Sequence, residues 1–386
     1  MKIVMFSDSY GSTTTTFIRN EINFLKVNHE VSYIAQEVNA SNDGIKVFKV
    51  PYEEQFLVKK IRWFLWKKDR LCTFKNKNYA KRLNSALRLI KPDVIHCHFA
   101  YEAIKLLENI DEAFQVPIFV HFHGYGASQM LQKQSYVTRL KQLFEDKRIN
   151  TFVVSNHIKE NLKIHRIEIK QTHLLHCGID LKLFNPNEEK KKNNKITFLQ
   201  VSSLTEKKGH EYTLKAFHLF LNNHPIFKEN IQLIFTGDGP NKEILSKLRD
   251  KLGLKKEVFF IGNVNSKEAV RLMSISDIYV HHSITAKNGD QEGIPTSIME
   301  AMAMKLPILS SFHSGIPELV EHDINGLLCN EKDIKTFSIQ IKKILEWKKL
   351  KINRSKVENE FNLKTHNQTL LSYYWQQLYG FNKKNN

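Results

Sequence analysis

Short apolar runs alternate with amphipathic stretches along nearly the whole chain, in two successive series. Runs of four to six apolar residues separated by segments of helical period mark strand–helix–strand units, whose parallel strands are buried on both faces. The first series predicts strands at Lys2–Phe6, Glu30–Ala35, Val94–His98, Ile118–His121 and Thr151–Val154. Phe17, Glu21, Phe24 and Leu25 fit an intervening helix, as do Leu83, Ala86, Leu87 and Ile90. After the charged run Asn185–Lys195, which reads as a solvated linker, a second series predicts Ile196–Val201, Ile231–Thr236, Val258–Ile261, Ile278–His281 and Ile308–Ser310. A chain of 386 residues is long for one core. We therefore expect two doubly wound α/β domains, residues 1–185 and 186–364, with no close sequence repeat between them. In open α/β sheets ligands sit beyond the carboxyl ends of strands, and two such domains facing each other make a cleft for one.

Composition narrows the class. Hydrophobic residues make up 41%, which excludes disorder outside the tail Asn382–Asn386. No apolar run approaches the ~18 residues needed to cross a bilayer. The opening apolar stretch is broken by Asp8 and is too short for a signal peptide, so a cytoplasmic protein is expected. Cys72, Cys97, Cys177 and Cys329 form no CxxC and read as reduced thiols. The net charge of +18 is concentrated locally: residues 57–91 hold twelve Lys and Arg against the single acid Asp69.

The stretch richest in chemistry is Glu292-Gly293-Ile294-Pro295-Thr296-Ser297-Ile298-Met299-Glu300, followed by Ala301-Met302-Ala303. Pro295 and Thr296 suit the first turn of a helix, and Ile298, Met299, Ala301 and Met302 suit its buried continuation. First-turn N–H groups have no intrahelical partner, so backbone donors around Gly293 to Thr296 would attract phosphate. Two flanking acids add acceptors for sugar and ribose hydroxyls. A nucleotide-sugar site follows from this grouping.

These residues resemble a family. Ser283 through Ala303, with the acids Glu292 and Glu300, looks like the signature of retaining glycosyltransferases of family 4; Pro307 and Gly315-Ile316-Pro317-Glu318-Leu319 continue the likeness downstream. The resemblance covers most of the chain. It implies the GT-B fold, two Rossmann-like domains facing across a cleft, with a last segment over 365–381 (helix about Thr365–Leu378) crossing back to the first.

The resemblance also implies roles. Val201 to His210 is similar to the family loop ending in Lys-Gly; Lys208 would then meet the donor diphosphate and stabilise charge on the leaving nucleotide without a metal. Many relatives carry Arg where this chain has Ser203, and Lys207 is the substitute cation. Glu292 would contact the donor sugar, and Glu300 would accept hydrogen bonds from ribose. His121-Phe122-His123-Gly124-Tyr125 resembles the loop whose histidine touches the donor sugar, which places that role on His123. His98 is a second contact candidate and His96 a structural one. Residues two apart on a strand share a face, so His96, His98, His121 and His123 could in principle meet and bind zinc. No carboxylate or Cys adds the usual ligand spacing, and no metal or other cofactor is expected. Gly11, Thr15 and Thr16 lie in a segment, Asp8 to Glu21, that resembles the entry of a branch building bacterial exopolysaccharide and lipopolysaccharide. They would meet donor phosphates or acceptor, while Thr15 or Thr16 also suits a helix cap. Gly237 matches a family turn near the ligand, and Gly262, Asn263 and Val264 would frame the nucleobase.

Trp63, Phe64 and Trp66 lie among Lys59, Lys60, Arg62, Lys67, Lys68 and Arg70. Leu57, Ile61, Phe64, Leu65 and Leu71 recur at helical spacing, which predicts one ordinary core face. The dense cations and tryptophans suggest a helix on an anionic inner-membrane surface, with a solvated basic face as the alternative. The reading is a retaining transferase moving a sugar from a UDP-sugar, in preference to a GDP-sugar, to a membrane-anchored glycan. The alternatives are a GT-B-like nucleotide-sugar epimerase, which needs no acceptor, and a basic nucleic-acid binder. The last lacks a recognisable binding module, so no nucleic-acid partner is expected.

Overall fold

Two all-parallel sheets organise the chain, each in its own unit. The computed structural model describes residues 1–11, 16–39, 44–70, 75–167, 171–186, 195–346 and 354–385. The first unit comprises Met1–Gly178 and Leu363–Asn386, and the second Ile179–Asn362.

The first sheet contains β1 (Lys2–Phe6), β2 (Glu30–Ala35), β3 (Lys46–Lys49), β4 (Val94–Cys97), β5 (Ile118–Phe122), β6 (Ile149–Val153) and β7 (Thr172–Leu174). Their spatial order is β3-β2-β1-β4-β5-β6-β7. Central strands are buried along most of their length because helices cover both faces. The second unit contains β8 (Ile196–Val201), β9 (Ile231–Thr236), β10 (Val258–Phe260), β11 (Ile278–His281), β12 (Ile308–Ser311) and β13 (Gly326–Cys329), in the order β10-β9-β8-β11-β12-β13. The chain runs outward from β8 to β10 and then returns to β8's other side with β11. This reversal leaves a crevice beyond the carboxyl ends of β8 and β11, where such sheets take ligands.

The core of the second unit joins Phe198, Leu233, Phe235, Val280 and Leu309 of the sheet to Phe217, Phe220, Phe337 and Ile341 of the covering helices. In the first unit Ile3, Met5, Tyr33, Phe119 and Phe152 pack with Leu370 and Tyr374 of the final helix, Leu363–Asn385. Tyr374 is fully buried, and its hydroxyl lies 2.6 Å from His96 Nδ1.

The structure moves three expectations. The boundary falls at Gly178/Ile179 instead of residue 185. Ile179 N donates to Phe361 O, and Arg354 donates to the carbonyls of Phe184 and Ala303, which ties residues 179–186 into the second unit. The final helix begins at Leu363 and extends beyond Leu378. Helix Phe56–Lys67 has no buried residue, so the expected core face is absent among the described residues: Leu57, Ile61 and Phe64 are exposed, as are Phe56 and Trp63, Leu65 is half-buried, and Leu71 lies outside the described residues. Among the described residues, no helix is long and apolar enough to cross a membrane.

Candidate active site

The loop after β8 is built around one buried anchor. Leu204 is fully buried, its N–H donates to Asp238 O, and its carbonyl accepts from Asn241 N. Beyond it, Glu206–Lys208 forms a 3-10 turn that ends at Gly209, with φ at +64°. A Cβ on Gly209 would lie 1.6 Å from the carbonyl oxygen of His282, so only glycine lets this loop close on the end of β11. Gln200 Nε2 donates to Lys208 O, and Ile284 N donates to Lys207 O. Both lysines are thereby aimed at the segment that follows β11.

Their side chains meet the acids there. Lys208 Nζ lies 2.6 Å from Glu292 Oε1, and Lys207 Nζ lies 3.0 Å from Asp290 Oδ2. Glu292 is buried. Burial alone would raise its pKa, but Lys208, Lys207 and His281 outweigh that and hold it down at about 2. The reverse balance applies to Lys207, where burial lowers the pKa but Glu292 and Asp290 raise it overall. The site therefore keeps the Glu292 carboxylate and the Lys207 ammonium charged at neutral pH.

Helix Thr296–Ala303 starts four residues beyond Glu292, with Pro295 as its extended N-cap. Ile298, Met299, Ala301, Met302 and Ala303 are buried and fix the helix against the unit, while Glu300 is half-buried on its open side. Burial is the cause that raises Glu300 to about 7. Gly237, at φ +96°, closes the turn after β9: a Cβ there would lie 2.0 Å from Ser202 O. Its N–H donates to Gly262 O at 2.7 Å, which joins the Gly262–Val264 turn to the same edge. Ser203 Oγ is 3.4 Å from Thr205 Oγ1. Lys208, Lys207, Glu292, the Gly293–Thr296 turn, Ser203 and Gly237 thus gather at the carboxyl edge of one sheet, with Gly262 continuing that edge outward to β10.

In the first unit four histidines gather at the carboxyl ends of β4 and β5. His96, His98 and His121 place one ring nitrogen each within 4.8 Å of the others. Their rings are nearly parallel, with interplanar angles of 26° for His96–His98 and 18° for His96–His121. A zinc ion lies about 2.0–2.1 Å from each imidazole nitrogen and in each ring plane, and face-to-face rings do not share such a point. Burial, reinforced by the neighbouring imidazoles, holds all four well below the usual histidine range. His98 Nε2 faces Glu21 at 3.6 Å, and Glu21 reaches His366 of the final helix at 3.0 Å. His123 is half-buried and packs on Phe17, with ring centroids 4.4 Å apart. Gly11, at φ +84°, is half-buried near the end of β1. Thr15 lies outside the described residues, and Thr16 begins helix Thr16–Leu25.

Two family models divide the chain between them. "Glycosyltransferase Family 4" matches residues 15–183, and "Glycosyl transferases group 1" matches residues 182–359. The chain belongs to glycosyltransferase family 4. Among relatives of this family-4 enzyme is WcaL of Escherichia coli (strain K12), named as a colanic acid biosynthesis glycosyltransferase. It is 30% identical over 257 residues, which is 65% of this chain and 62% of that protein. AmsK of Erwinia amylovora, named as an amylovoran biosynthesis glycosyltransferase, is 29% identical over 279 residues, 70% of this chain and 67% of its own. Anabaena HepE, solved in complex with UDP and glucose, superposes with a TM-score of 0.74 at 19% identity, over 97% of this chain and 99% of that one. This last likeness shows the fold, GT-B.

Sequence reasoning missed part of this glycosyltransferase's site. His281, fully buried, feels both Lys208 and Glu292; His313 and Glu331 touch the segment carrying Glu292. His281-His282-Ser283 at a strand end was a visible signal. The His313–Glu331 pairing had none.

Proposed function

We propose that this transferase moves a sugar, with retention, from a UDP-sugar to a membrane-anchored glycan, and that the reaction needs no metal. The 2.6 Å ion pair between Lys208 and Glu292, at the carboxyl ends of β8 and β11, carries the reading. As the bond from the anomeric carbon to the diphosphate oxygen breaks, its electron pair stays with the phosphate. Lys208 and the N–H groups opening helix Thr296–Ala303 stabilise that charge. Glu292 steadies the donor sugar, Glu300 accepts from ribose, and the acceptor hydroxyl bonds to the carbon on the face the diphosphate left, passing its proton to the departing diphosphate oxygen. Lys207 supplies the second cation where Ser203 offers none. His123, on the first unit, is assigned to the donor sugar by the resemblance of its loop.

The acceptor class rests on two supports. WcaL and AmsK are named for colanic acid and amylovoran biosynthesis. Helix Phe56–Lys67 exposes Phe56, Trp63 and Phe64 beside Lys60, Lys67 and Lys68, whose ammonium groups lie 4.5–5.8 Å from those rings. Lys59 and the half-buried Trp66 complete the face, and a cavity of about 680 Å3 lined by Trp63, Trp66, Tyr101 and Met130 opens beneath it. Aromatic rings at the headgroup level with cations above anionic lipid are the chemistry of an interfacial helix.

Glu292→Ala and Lys208→Ala each lower transfer by at least about 100-fold while the far-ultraviolet circular dichroism stays that of a folded protein. Near-wild-type turnover in both variants would refute the assignment.

A further inference from the structure

The backbone of Glu292 is gripped on both sides by one short segment. His313 Nε2 accepts from Glu292 N at 3.1 Å, and Ser314 Oγ donates to Glu292 O at 2.5 Å. Gly315 N then donates to Gly293 O at 3.2 Å. His313 is buried, and its other nitrogen, Nδ1, lies 2.6 Å from Glu331 Oε1. Glu331 also accepts from Thr285 N at 2.7 Å and from Thr285 Oγ1 at 3.2 Å, and Thr285 Oγ1 accepts from Gln291 Nε2 at 3.0 Å. Residues 285–293 are therefore strapped at both ends to the turn after β12 and to the residue two beyond β13.

The direction of each bond follows from the chemistry of the end groups. An ionised carboxylate only accepts, so Glu331 obliges His313 to carry its proton on Nδ1. That leaves the Nε2 lone pair facing the N–H of Glu292. The opposite tautomer would set two N–H groups against each other at a buried position, with neither satisfied. Burial would raise Glu331, but the hydrogen bonds from His313 and Thr285 prevail and lower it, so it stays the acceptor the relay requires.

We propose that His313, fixed in one tautomer by Glu331, is a positioning residue that sets the geometry of Glu292 for transfer. The proposal rests on the reading of Glu292 given above. His313 needs no contact with substrate. It fixes the main chain of Glu292 so that the carboxylate is presented at one angle, and a displacement near 1 Å at a reacting group costs about 100-fold in rate. Glu292 meets only the sugar of the donor, and most donor affinity rests on the Lys208 loop, the helix start and Glu300, so the effect falls mainly in kcat.

Two near-isosteric variants separate this role from mere packing. In His313→Gln the amide oxygen takes the place of Nε2 and still accepts from Glu292. In His313→Asn the amide mimics Nδ1, keeps Glu331 and leaves the Glu292 N–H unpaired. We expect His313→Asn and His313→Ala to lower kcat about 30- to 100-fold with KM for the UDP-sugar within about threefold, and His313→Gln to recover most of the loss. Thr285 N and His313 Nδ1 donate to different oxygens of Glu331, and Glu331→Gln cannot accept from both, so it also lowers kcat, but it adds little in the His313→Gln background. Thermal melting of each variant and turnover of Glu292→Ala are measured alongside. Equal impairment of the Gln and Asn variants, or a loss confined to KM, overturns the positioning role while Glu292 stands. An active Glu292→Ala protein removes the reading of Glu292 and, with it, anything for His313 to position.

Discussion

Glu292 and Glu300 are eight positions apart, and their environments drive them in opposite directions. Glu292 faces two ammonium groups and is drawn to about 2, whereas Glu300 meets burial without a cation and rises to about 7. The two therefore affect folding with opposite signs. The native chain holds a proton on Glu300 that the unfolded chain has released, so its contribution to stability is lost as pH rises from 4.5 through 7. Glu292 contributes stability above pH 4.5 that is lost as pH falls toward 2. For binding, an ionised carboxylate accepts more strongly from ribose hydroxyls than a protonated one. Affinity for a UDP-sugar, whose diphosphate has no ionisation near neutrality, should rise about tenfold between pH 6 and pH 8, following the ionised fraction of Glu300. Calorimetric titration at the two pH values checks this, and Glu300→Gln should flatten the profile. A pH-independent affinity in the unmodified protein would remove Glu300 from the ribose.

At the level of elements, the loop between β8 and the helix His210–Asn223 is the most demanding piece of backbone. Gly209→Ala should cost well over the about 1–2 kcal/mol of the left-handed conformation alone, because its methyl meets the main chain of His282. Gly262→Ala is the natural comparison: its φ is +80°, yet nothing lies within 4 Å of the added carbon. Urea unfolding of the pair should show a much larger loss for Gly209→Ala; equal losses would mean that β11 and the loop can part at little cost. What the sequence revealed divides along similar lines. Strands buried on both faces, such as β1 and β11, announce themselves as short apolar runs, residues 3–6 and 278–280. The edge strands β3 and β7 are partly exposed and polar, so they carry no such mark. Helix Phe56–Lys67 has the period of a core helix without its burial, since periodicity reports a face and not what covers it. The Lys208 loop and the Glu292 segment were legible because their residue types cluster locally. His313 and Glu331 meet only because β12 and β13 are adjacent in the sheet, which no local pattern encodes.

For the whole molecule, charge is distributed unevenly and its placement matters more than its total. Asp69, the single acid among the cations of residues 57–91, is already committed: it accepts from Gln134 N, Ser135 N and Ser135 Oγ at the start of helix Gln134–Leu143. It therefore does little to neutralise the exposed lysines. Sedimentation with vesicles of anionic phospholipid should capture the protein at moderate salt and release it as salt screens the lysines. Replacing Lys59, Lys60, Lys67 and Lys68 with Glu should abolish capture, and undiminished pelleting would show that this face does not meet lipid. The discontinuous make-up of the first unit bears on synthesis. Residues 1–178 leave the ribosome long before Leu370 and Tyr374 exist to fill their share of that core, while residues 179–362 have every part they need as soon as they emerge. The half made first is thus finished after the half made second, and the nascent chain carries an open seam until residues 363–386 arrive.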